Sequence, residues 1–143
     1  MNTDLIDIKI RAVEGGVTAA AGFKAAGIHA GFRKNPERLD YALVVPDKPC
    51  PGAGVFTTNR FCAAPVQVSR ANLGGADKGY GIIAGVSVNS GNANAATGET
   101  GLACARETCN IASQVIGCEP QQILVASTGV IGQILPIDTF ETA

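Results

Sequence analysis

Charge is scarce in this chain. Asp, Glu, Lys and Arg make up 16% of its 143 residues, and 11 basic against 12 acidic side chains leave a net charge of −1. The basic residues are scattered, with Arg33-Lys34 the only adjacent pair, so no patch of the kind that tracks a phosphate backbone is present and nucleic acid is not an expected partner. Long apolar runs are missing as well. Asn2, Thr3, Asp4 and Asp7 interrupt the N-terminus before a signal core can form, and a run such as Ile82-Ile83-Ala84-Gly85-Val86 falls far short of the roughly 20 residues that cross a bilayer. A soluble, cytoplasmic protein without membrane contact is therefore expected. The five cysteines, Cys50, Cys62, Cys104, Cys109 and Cys118, show no CxxC spacing, which argues against a disulfide framework and a zinc site and for reduced thiols. With a single histidine, His29, and no cluster of Asp, Glu or His, neither a metal nor a cofactor is implied.

Two further absences narrow the chemistry. Gly22-Phe23-Lys24-Ala25-Ala26-Gly27 has the glycine spacing that begins a phosphate loop, but Ile28-His29 stands where Lys followed by Ser or Thr is needed to hold phosphate and magnesium. A set of tight turns is the better reading, and nucleotide binding is rejected. A Cys–His nucleophilic pair would need His29 beside a thiol, and nothing in the sequence places it there. Cys50, between Pro49 and Pro51, reads as a turn rather than as a helix N-terminus that could lower its pKa.

What is present is material for a core: 46% of the residues are hydrophobic, and the length suits one domain spanning residues 1–143. Five stretches carry β-branched or aromatic residues between Gly, Pro and Asn signals and predict strands: Leu39 to Val45, Gly54 to Thr58, Pro65 to Ser69, Gly81 to Asn89 and Ile123 to Ser127. Between Gly98 and Gly117 the pattern changes. Leu102, Ala105, Cys109, Ala112, Val115 and Ile116 recur at three- and four-residue intervals, the period of a helix buried on one face, with Thr97 to cap its start and Gly117 its end. A second helix after Pro136 is compatible with the sequence. The fold class is α+β, a layered mixed sheet with packed helices.

The hexapeptide Ser127-Thr128-Gly129-Val130-Ile131-Gly132, entered from Ile123-Leu124-Val125-Ala126, has the makings of an oxyanion site, because it sets a hydroxyl donor beside a backbone N–H that no side chain shields. Alone it is also ordinary strand-to-turn chemistry. Three other blocks accompany it: Lys24-Ala25-Ala26-Gly27-Ile28-His29-Ala30-Gly31, Gly54-Val55-Phe56-Thr57-Thr58-Asn59-Arg60 with Ala63-Ala64-Pro65-Val66, and Val88-Asn89-Ser90-Gly91-Asn92-Ala93-Asn94-Ala95-Ala96-Thr97-Gly98. In these blocks, their order and their spacing, the chain resembles the N-terminal part of the bifunctional ornithine acetyltransferase/glutamate N-acetyltransferase family of arginine biosynthesis. The resemblance runs from about Gly15 to the last residue.

The resemblance implies an acyltransferase. Members of that family cut themselves between an alanine and a threonine, and the new N-terminal threonine of the β chain takes the acetyl group from N-acetylornithine and passes it to glutamate. Some members also use acetyl-CoA as a donor. The resemblance assigns the oxyanion hole to Thr128 and Gly129, places the nucleophile outside this chain, and implies an autoprocessed two-chain N-terminal-threonine enzyme assembled as an αβ hetero-oligomer. It also implies that the chain stops short of the cleavage point, as a truncated α-chain segment. Asn89, Asn92 and Asn94 crowd a loop that either satisfies its own backbone or lines the acetyl-donor pocket. Thr57, Thr58 and Asn59 pose the same choice between capping and a polar rim. The alternative to the enzyme reading is an inactive truncated fragment that persists as a structural or small-molecule-binding domain.

Overall fold

The computed structural model describes residues 12–75 and 77–141. A four-stranded mixed sheet is built from β1 (Phe23–Ile28), β2 (Tyr41–Pro46), β5 (Gly85–Asn92) and β6 (Ile123–Val130), in that spatial order. β1 and β2 run antiparallel, as do β2 and β5, whereas β5 and β6 are parallel. A parallel pair needs a crossover, and α2 (Gly98–Ile116) provides it. A separate two-stranded antiparallel sheet pairs β3 (Cys50–Ala53) with β4 (Tyr80–Ile83). α1 (Ala64–Asn72) packs beside α2 on the sheet, and α3 (Asp138–Glu141) is a single turn.

One face of the sheet is covered and the other is not. Ile123 and Val125 of β6 bury against Ala64 and Val68 of α1 and Ala105, Cys109 and Ala112 of α2. Tyr41 of β2 enters a second cluster with Leu135 and Phe140, its ring edge-on to Phe140 at 5.1 Å. Strand alternation then puts Val86, Val88 and Ser90 of β5, and Leu124, Ala126 and Thr128 of β6, on the face turned away from the helices. Ser69 ties α1 to β6 directly: its hydroxyl donates to the Val125 carbonyl at 2.8 Å and accepts from the Val125 N–H at 2.9 Å.

The predicted helix over 98–117 is present, closed by Gly117 in the left-handed region at φ 80°. Its face differs in one place, since Val115 is 74% exposed while Thr108 and Ser113 are buried. Each of those hydroxyls donates to a carbonyl of its own helix, which lets them face inward. Thr97 occupies the N-cap position, but its hydroxyl donates to Asn94 Oδ1 rather than capping a helix N–H. The expected strand over Pro65 to Ser69 is instead α1. Proline at the first helical turn costs no hydrogen bond there, and burial of Ala64, Pro65, Val68 and Ser69 follows the helical period. The expected strand over Gly54 to Thr58 is irregular, with Val55 fully exposed. Side chains bind the backbone there, Asn59 N–H to Thr57 Oγ1 and Phe61 N–H to Asn59 Oδ1, in place of a ladder. Cys50 lies in β3 rather than in a turn, and a two-stranded sheet has open edges that accommodate Pro51. The stretch over Gly81 to Asn89 divides at Ala84 into β4 and β5, which belong to different sheets. β1 replaces the tight turns expected near Gly22 to Gly27.

Candidate active site

The parallel strands β5 and β6 end side by side, and their last residues include the candidate Thr128 and Gly129. Ser90 stands opposite Thr128 and Gly91 opposite Gly129, after which the register shifts at Gly91 and Asn92 in a bulge. A bulge re-aims the chain at a strand end. Both glycines are at positive φ, 119° for Gly91 and 132° for Gly129, and the backbones approach so closely that a Cβ on Gly129 would sit 2.6 Å from Asn92 N. A Cβ on Gly91 would meet the Phe32 carbonyl oxygen at 2.7 Å. Only glycine fits either place. Thr128 and Gly129 are both exposed, and the Thr128 hydroxyl makes no hydrogen bond among the described residues. A free O–H on an exposed strand end is a donor of the kind a developing negative oxygen requires.

The asparagines lie beneath this end, not in it. Asn89, Asn92 and Asn94 are 2%, 5% and 0% exposed, so solvent does not reach their carboxamides. Asn92 is paired in register with Thr128, and its Nδ2 donates to the carbonyls of Gln133 at 3.2 Å and Ile134 at 3.1 Å, while its Oδ1 accepts the Asn94 N–H at 2.8 Å. Asn89 Nδ2 donates to the Asn92 carbonyl, and Asn94 Nδ2 to the Gly101 carbonyl, each at 2.8 Å. Backbone bonds from Ala93 to Val130 and from Gly132 to Ala95 complete the join. Asn94 at φ 44° and Ala96 at φ 58° hold left-handed conformations that this network over-determines. Thr57, Thr58 and Asn59 lie apart from it, beside Arg70, whose guanidinium donates to the Thr57 carbonyl.

A second set of residues reaches the strand ends from the 29–40 segment. Asp40 is 2% exposed; its Oδ1 accepts the Ala30 N–H at 2.6 Å and its Oδ2 the Arg33 N–H at 2.7 Å. Burial by itself pushes this carboxyl up, but the N–H donors of Arg33 and Ala30, with His29 alongside, outweigh it and hold Asp40 below the ordinary carboxylate value. His29 Nδ1 lies 3.4 Å from Asp40 Oδ2 and 3.0 Å from the Arg38 carbonyl, so the imidazole is held in a structural knot. Arg33 Nε donates to Ser90 Oγ at 2.8 Å, and Nη2 donates to the same oxygen. The sequence alone assigns no role to Asp40 or Arg33 and offers Ser90 only as part of the Asn-rich block. The signal for Asp40 is an acid set between Leu39 and Tyr41 at the start of a strand.

Three of the five thiols are poorly placed for nucleophilic work. Burial raises Cys109 to about 11 and pushes Cys104 and Cys118 up as well, which keeps them protonated near neutral pH. A cavity of about 160 Å3, lined in part by Arg60, Cys62, Gln67, Thr97 and Glu99, opens where the N-termini of α1 and α2 meet, and Thr128 and Gly129 do not line it. No group of three His, Cys, Asp or Glu among the described residues could hold a metal ion, and no described helix is long and apolar enough to cross a membrane.

Residues 24–143 match the family model described as the ArgJ family. The chain belongs to the ArgJ family. It is 47% identical over 126 residues to an arginine biosynthesis bifunctional protein ArgJ of Dehalococcoides mccartyi, covering 87% of this chain and 30% of that protein. It is 50% identical over 123 residues to the protein of that name in Bifidobacterium longum, covering 85% of this chain and again 30% of the relative. The chain thus spans about a third of the length of these ArgJ relatives. Among solved structures, ArgJ of Bacillus halodurans superposes with a TM-score of 0.79 at 36% identity, covering 88% of this chain and 63% of that one. The ornithine acetyltransferase of Mycobacterium tuberculosis, solved in complex with ornithine, gives 0.79 at 39% identity over 87% of this chain and 65% of that one. The mixed sheet with packed helices is therefore the arrangement found in solved ArgJ proteins.

Proposed function

We propose that residues 1–143 form the N-terminal, α-chain portion of an N-acyltransferase that moves an acetyl group from N-acetylornithine to glutamate in arginine biosynthesis, with this chain supplying the oxyanion hole. The carrying observation is the free Thr128 hydroxyl, set beside Gly129 at the end of β6. The names of the relatives, bifunctional in arginine biosynthesis, and the ornithine held by the Mycobacterium tuberculosis enzyme support the substrate class.

The chemistry follows from charge. A threonine Oγ on a β chain outside these residues attacks the acetyl amide carbon, and its proton passes to that chain's own α-amine, the general base. The carbonyl oxygen becomes negative, and the Thr128 O–H and Gly129 N–H, already fixed, stabilise it without solvent reorganisation. Collapse expels ornithine with the proton and leaves an acetyl ester on the threonine. The amine of glutamate then attacks the ester through the same oxyanion, returning the threonine. Acetyl-CoA would enter as an additional donor to that ester, and no cofactor is required. In this reading Asn89, Asn92 and Asn94 serve the donor pocket by bracing the β5 and β6 ends rather than by touching substrate.

The reading includes self-cleavage of a precursor, an αβ hetero-oligomer and a cytoplasmic location. Its test is an acetyl-transfer assay together with intact mass of the purified enzyme, which should reveal a second polypeptide beginning in threonine and radiolabel passing from N-acetylornithine to glutamate. A lone chain without transfer would favour the alternative, an inactive fragment retaining only a structural or small-molecule-binding role.

A further inference from the structure

Asp40 is a buried carboxylate that the proposed acyl transfer does not use. Burying an ion is costly unless donors fill its lone pairs, and here the donors are main-chain groups. Oδ1 accepts the Ala30 N–H at 2.6 Å and Oδ2 the Arg33 N–H at 2.7 Å, with His29 Nδ1 3.4 Å from Oδ2. Both N–H groups belong to one short segment, residues 30–33. Asp40 itself is anchored on both sides, its N–H donating to the Ile28 carbonyl at 2.9 Å and its carbonyl accepting the Ser90 N–H at 2.8 Å. The carboxylate therefore holds the 30–33 segment in one arrangement, because releasing either N–H would leave buried charge without its donor.

What that segment touches gives the clamp its consequence. The Phe32 carbonyl lies against Gly91, where a Cβ would meet its oxygen at 2.7 Å. Gly91 in turn lies against Gly129, where a Cβ would meet the Gly91 oxygen at 2.5 Å. Three stretches of main chain are thus stacked in contact, the 30–33 segment on Gly91 and Gly91 on Gly129, and neither glycine has a side chain to act as a cushion. Close-packed atoms of this kind pass a displacement on with little give. The stack is also fastened from the side: Arg33 Nε donates to Ser90 Oγ at 2.8 Å, and the Phe32 ring packs on Phe140 with centroids 4.8 Å apart.

We propose that Asp40 is a positioning residue for the oxyanion hole, fixing the Gly129 main chain by clamping the 30–33 segment onto Gly91. This rests on the acyl-transfer reading of Thr128 and Gly129 and adds to it a residue that acts only through main chain. A preorganised donor has to sit within about 0.5 Å of its working place, and a misplacement of about 1 Å costs about 100-fold in rate. The negative oxygen exists only in the transition state, so a displaced donor lowers kcat and leaves KM near its value. Asp40→Asn is the smallest perturbation. It keeps the shape, but the carboxamide has one oxygen for two N–H donors and turns its NH2 toward the other.

The experiment pairs steady-state kinetics of the assembled enzyme, with N-acetylornithine and glutamate, with NMR of the Gly91 and Gly129 amides in glycine-labelled protein. Asp40→Asn should lower kcat about 10- to 100-fold, keep KM within about twofold, and shift both glycine signals. Ser69→Ala, which loosens β6 from the helix side, is the control for stability alone and should keep kcat and both signals. An unmoved Gly129 signal in Asp40→Asn, a rise in KM in place of a fall in kcat, or an equal loss of kcat in Ser69→Ala overturns the proposal. Should Asp40→Asn fail to fold, Asp40→Glu, which keeps the charge and displaces it by one methylene, is read by the same criteria. Glycine signals that move in the Asp40 variant, with no acetyl transfer by any form including the unaltered enzyme, would keep the clamp and remove the acyl-transfer reading.

Discussion

Gly129→Ala adds one methyl group at the point where β5 and β6 come closest. At φ 132° an L side chain is strained wherever it points, a cost of about 1–3 kcal/mol. The new Cβ would also lie 2.6 Å from Asn92 N, against backbone that cannot swing aside as a side-chain tip would. Forcing the strand ends apart breaks into the Asn92 and Asn94 network, and overpacking of this kind adds about 1–3 kcal/mol. Gly132→Ala is the matched control: it too sits at positive φ, 81°, but a Cβ there meets nothing within 4 Å. Chemical denaturation of both variants should therefore place Gly129→Ala below Gly132→Ala by about 2 kcal/mol, a gap of roughly 4–8 °C in Tm for a domain of this size. Equal losses would refute the argument that backbone contact, rather than φ alone, requires glycine at 129.

Three further outcomes follow from the same geometry. Ser69→Ala leaves the buried Val125 N–H and carbonyl without their shared hydroxyl partner, so equilibrium unfolding should show a loss of about 1–3 kcal/mol; a loss under half of that would contradict the bridge between α1 and β6. Asp40 is depressed below its ordinary value of 3.8, so it contributes stability at all pH above that value, and this contribution drains away as pH falls through the lower folded value. Asp40→Asn should consequently flatten the acid limb of the stability curve below about pH 4, and an unaltered limb would show that the carboxylate is not what holds the 29–33 segment. Cys109, raised to about 11 and buried, should resist iodoacetamide in native protein and react after denaturation; rapid native labelling, read by peptide mass, would contradict its burial between α2 and β6.

The unit β5–α2–β6 was legible because its signals are local. Alternation in Ile123 to Ser127, the three- and four-residue spacing through Ala105, Cys109 and Ala112, and Gly117 as a stop all act within one element. The losses occurred where a partner decides. β1 has the weak strand sequence Phe-Lys-Ala-Ala-Gly-Ile and exists through its pairing with β2, and β3 exists through β4 despite Pro51. α1 reads as a strand in sequence because Val66 and Val68 alternate, whereas packing against β6 selects the helical face. In the candidate site, Thr128 and Gly129 stood out as a motif, but the Arg33 to Ser90 contact joins residues 57 apart. No pattern in the sequence marks such a contact before the strands are placed.

The central claim is that Thr128 donates to an oxyanion. Thr128→Ala in the assembled enzyme removes an exposed hydroxyl that bonds to nothing else among the described residues, so stability should be unchanged. Steady-state kinetics with N-acetylornithine and glutamate should show kcat reduced about 100- to 1000-fold, with little change in KM. A variant that keeps kcat within a few-fold of the unaltered enzyme, or that loses affinity instead of rate, would contradict the account.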